Sequence, residues 1–100
     1  LGTEPNVMAP GKRMLSSQTP TLVARDGQLL LVTGSPGGRT IPSTVLNVVV
    51  NVLDFGMSPR EAVDAPRWHH QWLPDRLQFE RLPDPTYQEV IKDLRKRGHM

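Results

Sequence analysis

Two short runs of strand-favouring residues, 19–24 and 28–33, are separated by the pair Asp26 and Gly27. Asp-Gly between such runs is a strong signal for a two-residue hairpin, because these residues readily adopt the positive φ angles that the turn requires. The run "LLLV" within 28–33 is continuously apolar, which is typical of a strand covered on both faces. The sequence therefore predicts a β-hairpin with a buried second strand.

Two hydroxyl side chains precede this hairpin and two glycines follow it: Ser16, Ser17, Gly37 and Gly38. Because a hairpin brings its outer ends together, we expect both pairs to contact the same ligand. Glycine N–H groups ahead of a helix can bind a phosphate, a carboxylate or a tetrahedral oxyanion, although the pattern alone favours a tight turn that merely needs positive φ. Likewise, the serines can bind a carboxylate or merely close a turn.

The run "TVLNVVVNVLDFG", residues 44–56, combines the signals of a strand and of a helix. Their β-branched valines favour a strand. Their length and the helical spacing of Asn47, Asn51 and Asp54 favour a helix with one polar face. A glycine in the C′ position supports the helix. We predict a helix over 43–54 that is buried on nearly all sides.

A second, shorter helix is predicted from a capping box. Ser58 is the N-cap, Pro59 occupies the first helical position, and Glu61 lies three residues after the cap. The helix spans one or two turns before the next proline. At its end, Asp64 and Arg67 are placed to form a local ion pair.

The last third of the chain predicts a strand at 77–81 and a helix that begins with Asp84 as N-cap and Pro85 at the first position, and ends at Gly98. Its apolar residues recur at helical spacing. The predicted order is coil–β–β–α–α–β–α, which belongs to the mixed α/β (α+β) class of two packed layers.

Two or three strands make a poor independent sheet. We therefore expect an irregular lead-in at 1–18 that carries the serine pair, and a partial α/β domain at 19–100 that is incomplete at both ends. A start without Met fits a piece of a longer protein. Unpaired strand edges can pair with another chain, so we expect the isolated 100 residues to self-associate.

Composition excludes several classes of protein. The chain has no cysteine, so it has neither disulfides nor thiolate metal sites. Its net charge of +2 comes from 12 basic and 10 acidic residues. The basic residues near the C-terminus suit a helix end, and no aromatic residues alternate with them for base stacking, so nucleic-acid binding is not indicated. No apolar run is long enough to cross a membrane.

The segment "RWHHQW" invites a metal interpretation. However, His69 and His70 are adjacent and point to different sides of any regular element, and no third ligand lies at a suitable spacing. We predict packing and hydrogen bonding there, with Trp68 and Trp72 as anchors of a buried corner, and no metal or cofactor. The residues alone reveal neither a catalytic base nor a nucleophile.

Three segments together resemble the small subunit of the gamma-glutamyltranspeptidases (gamma-glutamyltransferases): "PGKRMLSSQTPTLV", "LLLVTGSPGG" and "AVDAPRWHHQWLPDRLQFE". The likeness runs in order from about residue 10 to residue 98. It implies an N-terminal-nucleophile hydrolase fold, an αββα sandwich. In that family a precursor cleaves itself into two subunits, and the new N-terminal Thr attacks the γ-glutamyl carbonyl of glutathione or a similar amide. The acyl group then passes to water or to an amino acid.

The resemblance also implies roles for the four residues singled out above. Ser16 and Ser17 match the family's paired serines, which bind the α-carboxylate of the γ-glutamyl group. Gly37 and Gly38 match its oxyanion-hole glycines. It implies as partners the substrate, the large subunit and the rest of the small subunit, and a periplasmic or secreted location.

Parts of the family pattern fall outside these 100 residues. The nucleophilic Thr and an acidic residue that holds the substrate amine lie upstream, and a carboxylate-binding Arg belongs to the large subunit. We therefore expect the chain alone to be inactive. Gln18 and Met14 replace the usual Met and Pro. Neither poly-γ-glutamate nor glutaryl-cephalosporin is excluded as substrate. The alternative is a stand-alone module that binds amino acids or anions, or a structural interaction domain.

Overall fold

The computed structural model describes residues 4–80 and 85–100. Contacts divide the chain into two compact units, Leu1–Leu46 and Asn47–Met100. Helices and short strands follow one another in the predicted order, with one additional strand in the described residues. The mixed α/β class is therefore confirmed. In the described residues no helix combines the length and apolarity needed to span a membrane. The predicted lead-in at 1–18 and domain at 19–100 stay a prediction.

The first unit is built on the predicted hairpin. Strand β1, Thr21–Arg25, pairs antiparallel with β2, Gln28–Thr33. The turn residues Asp26 and Gly27 have φ angles of 51° and 77°, as the Asp-Gly signal predicts. The pairing shifts by one residue inside the hairpin, which leaves Leu30 as a bulge.

The expected burial of β2 on both faces is wrong for this chain. Leu31 is buried, but Leu29 and Val32 are 60% and 63% exposed, and Leu22 on β1 is 71% exposed. The reason is that the hairpin forms a two-stranded sheet within the described residues. Such a sheet covers one side chain in the strand and leaves its apolar neighbours in water. Self-association through this surface stays a prediction.

A 3₁₀ turn, Gly38–Thr40, leads directly into helix α1, Ile41–Leu53. The helix begins two residues before the predicted start. Ile41, Val45 and Val48 are buried and lie on one stripe, whereas Leu46 is 48% exposed. The prediction of burial on nearly all sides is therefore wrong. The helix packs along one stripe only, and its apolar residues outside that stripe are left exposed.

The polar face predicted for α1 is also corrected at one position. Asn47 is only 7% exposed. Its Nδ2 donates to the carbonyl of Trp68 at 3.0 Å, and the N–H of Trp68 donates back to Oδ1 at 3.4 Å. A buried amide needs such partners, so Asn47 fixes the backbone of a remote strand and does not face water.

That strand, β3, Trp68–His69, was not predicted. It pairs antiparallel with β4, Gln78–Phe79, within the predicted 77–81 strand, whose last residue lies outside the described residues. The expected buried tryptophan corner is wrong for this chain, since Trp68 and Trp72 are 40% and 77% exposed. Two residues per strand provide little pairing energy of their own, so side-chain contacts must hold β3 in place.

The arginine before β3 supplies such a contact. The guanidinium of Arg67 lies 2.9 Å from Oε1 of Glu80, and its backbone N–H donates to the other carboxylate oxygen at 3.1 Å. The predicted pairing of Asp64 with Arg67 is wrong, because Asp64 pairs with Arg60 one helical turn earlier, at 2.5 Å. Arg67 pairs with Glu80 because the Glu80 carboxylate contacts both the side chain and the backbone of the arginine.

Helix α3, Thr86–Lys96, confirms the predicted C-terminal helix. Pro85 is its N-cap residue and not its first helical residue, so the predicted position of Pro85 is wrong by one residue. Asp84, the predicted cap, lies outside the described residues. The helix ends as predicted before Gly98, whose φ is 92°, a conformation that favours glycine.

Helix α2, Pro59–Asp64, confirms the predicted capping box. Ser58 Oγ accepts from the N–H of Glu61 at 3.3 Å, and the N–H of Ser58 donates to Oε2 of Glu61 at 2.8 Å. The Ser58 hydroxyl, and then its backbone N–H, hold the pKa of Glu61 below the ordinary value of a glutamate. The stability that the ionised Glu61 carboxylate gives to the folded state is thus fully present above its unfolded-state pKa. It is lost as the pH falls through the lowered pKa of the folded state.

We expect Ser58→Ala to loosen α2 by about 1 kcal/mol, since a lost N-cap leaves a helical N–H unpaired. The amide of Ala62, which donates to the Ser58 carbonyl at 2.9 Å, should then exchange its hydrogen roughly fivefold faster. Hydrogen exchange followed by mass spectrometry or NMR measures this. Arg60→Ala is the matched control, because it removes only an ion pair between side chains that are 86% and 58% exposed. Equal acceleration in both variants would contradict the role of the cap.

Candidate active site

Three consecutive backbone carbonyls in the loop between β2 and α1 each accept a hydrogen bond from nearby side chains. The hydroxyl of Ser35 donates to Pro36 O at 2.6 Å, and Thr40 Oγ1 donates to Gly37 O at 2.9 Å. The third carbonyl, of Gly38, accepts from the more distant Ser17 Oγ at 2.5 Å. The loop carbonyls therefore point toward internal donors.

Backbone donors add to this arrangement. The N–H of Thr40 donates to Gly37 O at 3.3 Å, and the N–H of Ile41 donates to Gly38 O as the turn enters α1. A carbonyl oxygen has two lone pairs, and both glycine carbonyls thus accept two hydrogen bonds. Both donors to the Gly37 carbonyl belong to Thr40, whereas the Gly38 carbonyl is held by two separate residues, Ser17 and Ile41.

The hydrogen bonds of residues 4–80 and 85–100 leave the N–H groups of Gly37 and Gly38 without an acceptor. These two donors lie at the start of the turn that leads into α1, where the aligned peptide dipoles create positive potential. Bare N–H groups in succession form a concave site for an anion. The arrangement can therefore stabilise negative charge on an oxygen atom.

Both glycines have conformations that side chains disfavour. Gly37 has a φ of 130°, and a Cβ built on it would lie 2.8 Å from Thr40 Oγ1. Gly38 has a φ of 59°, and a Cβ there would meet no atom within 4 Å. The first glycine is thus required by both space and backbone angle, and the second by backbone angle alone.

The serine pair lies on an extended segment that precedes β1. Ser16 is exposed, and its Oγ accepts a hydrogen bond from the N–H of Gln18 at 3.2 Å. Ser17 is half-buried, and its carbonyl accepts from Thr19 Oγ1 at 2.9 Å. Thr21 Oγ1 repeats that bond with the carbonyl of Thr19 at 3.1 Å. These bonds join residues two positions apart, and they leave the Ser16 hydroxyl hydrogen free of any partner among the described residues.

The structure brings together the residues that the sequence singled out. Ser17 contacts Gly38 directly, which confirms that the two outer ends of the hairpin meet. Ser16 lies beside this contact in the chain and makes its hydrogen bond within its own segment. Sequence reasoning missed Ser35 and Thr40, whose hydroxyls orient the loop. The three-residue spacing from Gly37 to Thr40 is typical of a threonine that closes a turn on its own backbone, and this signal could have identified the second of them.

A cavity of about 290 Å³ opens beside the serine segment. It is lined by Gln18, Thr19, Pro20, Gly34 and Ser35. The lining combines the apolar ring of Pro20 with amide and hydroxyl groups, and Gln18 contributes the longest side chain. A small polar group bound at this end of the hairpin would therefore meet an amide and hydroxyls.

The histidines of the second unit make hydrogen bonds. His70 Nε2 lies 3.0 Å from Asp75 Oδ1, and His69 Nε2 lies 3.0 Å from Gln71 Oε1. Among residues 4–80 and 85–100, no group of three His, Asp or Glu side chains is arranged to hold a metal ion. The predicted hydrogen-bonding role of this segment is confirmed.

Comparison with known proteins gives consistent results. The sequence profile of the gamma-glutamyltranspeptidase family matches residues 2–100. A glutathione hydrolase proenzyme of Escherichia coli is 49% identical over 98 residues, which are 98% of this chain and 16% of that protein. A protein of the same name from a Pseudomonas species is 42% identical over 90 residues, 89% of this chain and 16% of that protein.

Solved structures agree with the sequence matches. A gamma-glutamyltranspeptidase of Helicobacter pylori superposes with a TM-score of 0.85 at 45% identity, covering 100% of this chain and 53% of that chain. The chain thus spans about one sixth of the length of the curated relatives named above, and about half of this solved chain. The N-terminal-nucleophile hydrolase fold expected from the sequence is that of these structures.

We expect Gly37→Ala to destabilise the folded protein more than Gly38→Ala. The former combines a strained φ with a clash against Thr40 Oγ1, whereas the latter incurs only the left-handed backbone cost of about 1–2 kcal/mol. Urea unfolding of the two variants measures the difference. In the double variant Gly37→Ala/Thr40→Ala the clash is gone. Its loss in free energy of unfolding should therefore be smaller than the sum of the losses of the two single variants. Equal losses at the two glycines would contradict the geometry.

Proposed function

The chain belongs to the gamma-glutamyltranspeptidase family, and on this premise we propose that it is the part of a gamma-glutamyltransferase small subunit that holds the γ-glutamyl group during catalysis. The reaction cleaves a γ-glutamyl amide through an acyl-enzyme and transfers the glutamyl group to water or to an amino acid. The nucleophile is the N-terminal Thr that the family resemblance implies outside these 100 residues. The large subunit and the rest of the small subunit are the partners.

Oxyanion stabilisation is the role that the glycine loop supports. Attack on the γ-glutamyl carbonyl converts its oxygen into an oxyanion, and fixed N–H donors that await this charge lower the barrier. The observation that carries the proposal is that Gly37 and Gly38 leave their N–H groups free, while the carbonyls that share a peptide plane with those groups, of Pro36 and Gly37, are held by hydroxyl donors. The donors are therefore already oriented before substrate binds.

Recognition of the α-carboxylate is the role that the serine segment supports. The oxygen of Ser16 already accepts from Gln18 N–H, so its remaining function is to donate its hydrogen. A hydrogen bond from such a donor to a carboxylate is charge-assisted. The backbone N–H of Ser17, next along the same extended segment, is a second donor for the same carboxylate. The substrate thus spans from the serine segment to the glycine loop.

Glutathione is the substrate that the relatives favour, because the similar proteins from Escherichia coli and Pseudomonas are glutathione hydrolase proenzymes. The Gln18 amide in the lining of the cavity can form a hydrogen bond with the polar part of an amino-acid substituent. Poly-γ-glutamate and glutaryl amides share the same γ-carbonyl chemistry and are outcomes that a substrate panel distinguishes.

In the full-length enzyme, Gly38→Ala should lower kcat about 100–1000-fold, the usual result of losing one oxyanion donor. The alanine has open space, so the change acts through the backbone conformation that aims the N–H group. Steady-state kinetics with γ-glutamyl 4-nitroanilide measures kcat and KM separately. A normal kcat with only a raised KM would contradict the oxyanion role.

Ser16→Ala should instead raise KM for γ-glutamyl substrates, because a hydrogen bond to a charged group contributes about 1.5–3 kcal/mol. The matched comparison is 4-aminobutyryl 4-nitroanilide, which keeps the amine and the scissile amide but lacks the α-carboxylate. Its turnover should be the same in the wild type and the variant. If both substrates lose equally, Ser16 does not bind the carboxylate.

A further inference from the structure

The side chain of Ser17 is committed to a partner other than a substrate. Its Oγ lies 2.5 Å from the carbonyl oxygen of Gly38, 21 residues along the chain. A carbonyl oxygen can only accept, so the serine hydroxyl is the donor. Among the hydrogen bonds of residues 4–80 and 85–100, this contact is the one that connects the serine segment to the glycine loop through a side chain.

A hydroxyl has a single hydrogen to donate. While the Ser17 hydrogen points at Gly38 O, the side chain cannot also donate to a carboxylate, and its oxygen lone pairs would repel one. The Ser16 hydroxyl has the opposite arrangement, because its oxygen accepts from Gln18 N–H and its hydrogen is free among the described residues. Two adjacent and chemically identical side chains are therefore prepared for different tasks.

Gly38 is a residue whose orientation needs external support. It has no side chain, its φ is 59°, and glycine loses more conformational freedom on folding than any other residue. The N–H of Ile41 holds its carbonyl from the helix side, and Ser17 holds it from the hairpin side. Removing Ser17 Oγ leaves one of these two restraints.

We propose that Ser17 is a positioning residue for the oxyanion site: its hydroxyl holds the Gly38 carbonyl and so fixes the peptide that joins Gly38 to Arg39, which restricts the backbone rotation of Gly38 on which the direction of its N–H group depends. Carboxylate recognition by the pair relies on the Ser16 hydroxyl and the backbone N–H of Ser17. This inference rests on the proposed function. It divides the serine pair between substrate binding and transition-state stabilisation, and it predicts that the two side chains affect different kinetic constants.

The test compares Ser16→Ala, Ser17→Ala and Ser17→Thr in the full-length enzyme, with rates expressed per molecule of processed enzyme. Ser17→Ala should lower kcat about tenfold to a hundredfold, as small misplacements of catalytic groups do, and leave KM for γ-glutamyl 4-nitroanilide nearly unchanged. The same fold-loss should appear with 4-aminobutyryl 4-nitroanilide, which has no α-carboxylate. Ser17→Thr keeps the hydroxyl and should restore most of kcat.

Thr21→Val is the matched control, because it removes another hydroxyl-to-carbonyl hydrogen bond from the same segment, to Thr19 O at 3.1 Å, without touching the glycine loop. It should leave kcat unchanged. If Ser17→Ala does not accumulate as folded protein, Ser17→Cys gives the same comparison, since a thiol is a weak donor of similar size.

The outcomes separate the two hypotheses. If Ser17→Ala raises KM only for the substrate that has the α-carboxylate, as Ser16→Ala does, the positioning role is overturned and the proposed function stands. A kcat loss that Ser17→Thr does not restore, or that Thr21→Val reproduces, also overturns it. If the wild-type enzyme turns over no γ-glutamyl amide, the proposed function fails, and the inference fails with it.

Discussion

The hydrogen bond from the Ser17 hydroxyl to the Gly38 carbonyl is the contact on which the candidate site depends. It joins two segments that are 21 residues apart, and the hairpin between them makes the approach possible. The reversal of the chain in this hairpin is made by Asp26 and Gly27, whose φ angles are positive. A local turn signal therefore places two distant polar segments side by side, and one hydroxyl then fixes their relative position.

The glycine loop shows how backbone hydrogen bonds can leave successive N–H groups available to an external acceptor. Its carbonyls are occupied by hydroxyl and N–H donors from Ser17, Ser35, Thr40 and Ile41. Once the negative ends of the peptide dipoles are satisfied internally, the N–H ends are left for an external acceptor. Such preorganised dipoles need no reorientation when charge develops, which is why they are effective in catalysis.

In the second unit, polar contacts perform a comparable task for strands too short to be stable alone. The buried amide of Asn47 holds the backbone of Trp68 in strand β3, Trp68–His69. Glu80 holds Arg67, the residue that precedes this strand. Each contact uses side chains that a simple hydropathy pattern assigns to the surface. Burial of a satisfied amide is favourable only because both its donor and acceptor groups find backbone partners.

The sequence by itself determined the features settled within a few residues of the chain. The Asp-Gly turn, the capping box at Ser58 and the C-terminal helix were all predictable, because their hydrogen bonds join neighbours. Three segments that resemble the family pattern also pointed to the family and to the four candidate site residues. Tertiary structure alone decided that Asn47 is buried, that Arg67 pairs with Glu80, and that the Ser17 hydroxyl holds Gly38. Spacing along a chain does not reveal these partners, because which distant groups meet depends on how the packed elements bring them together.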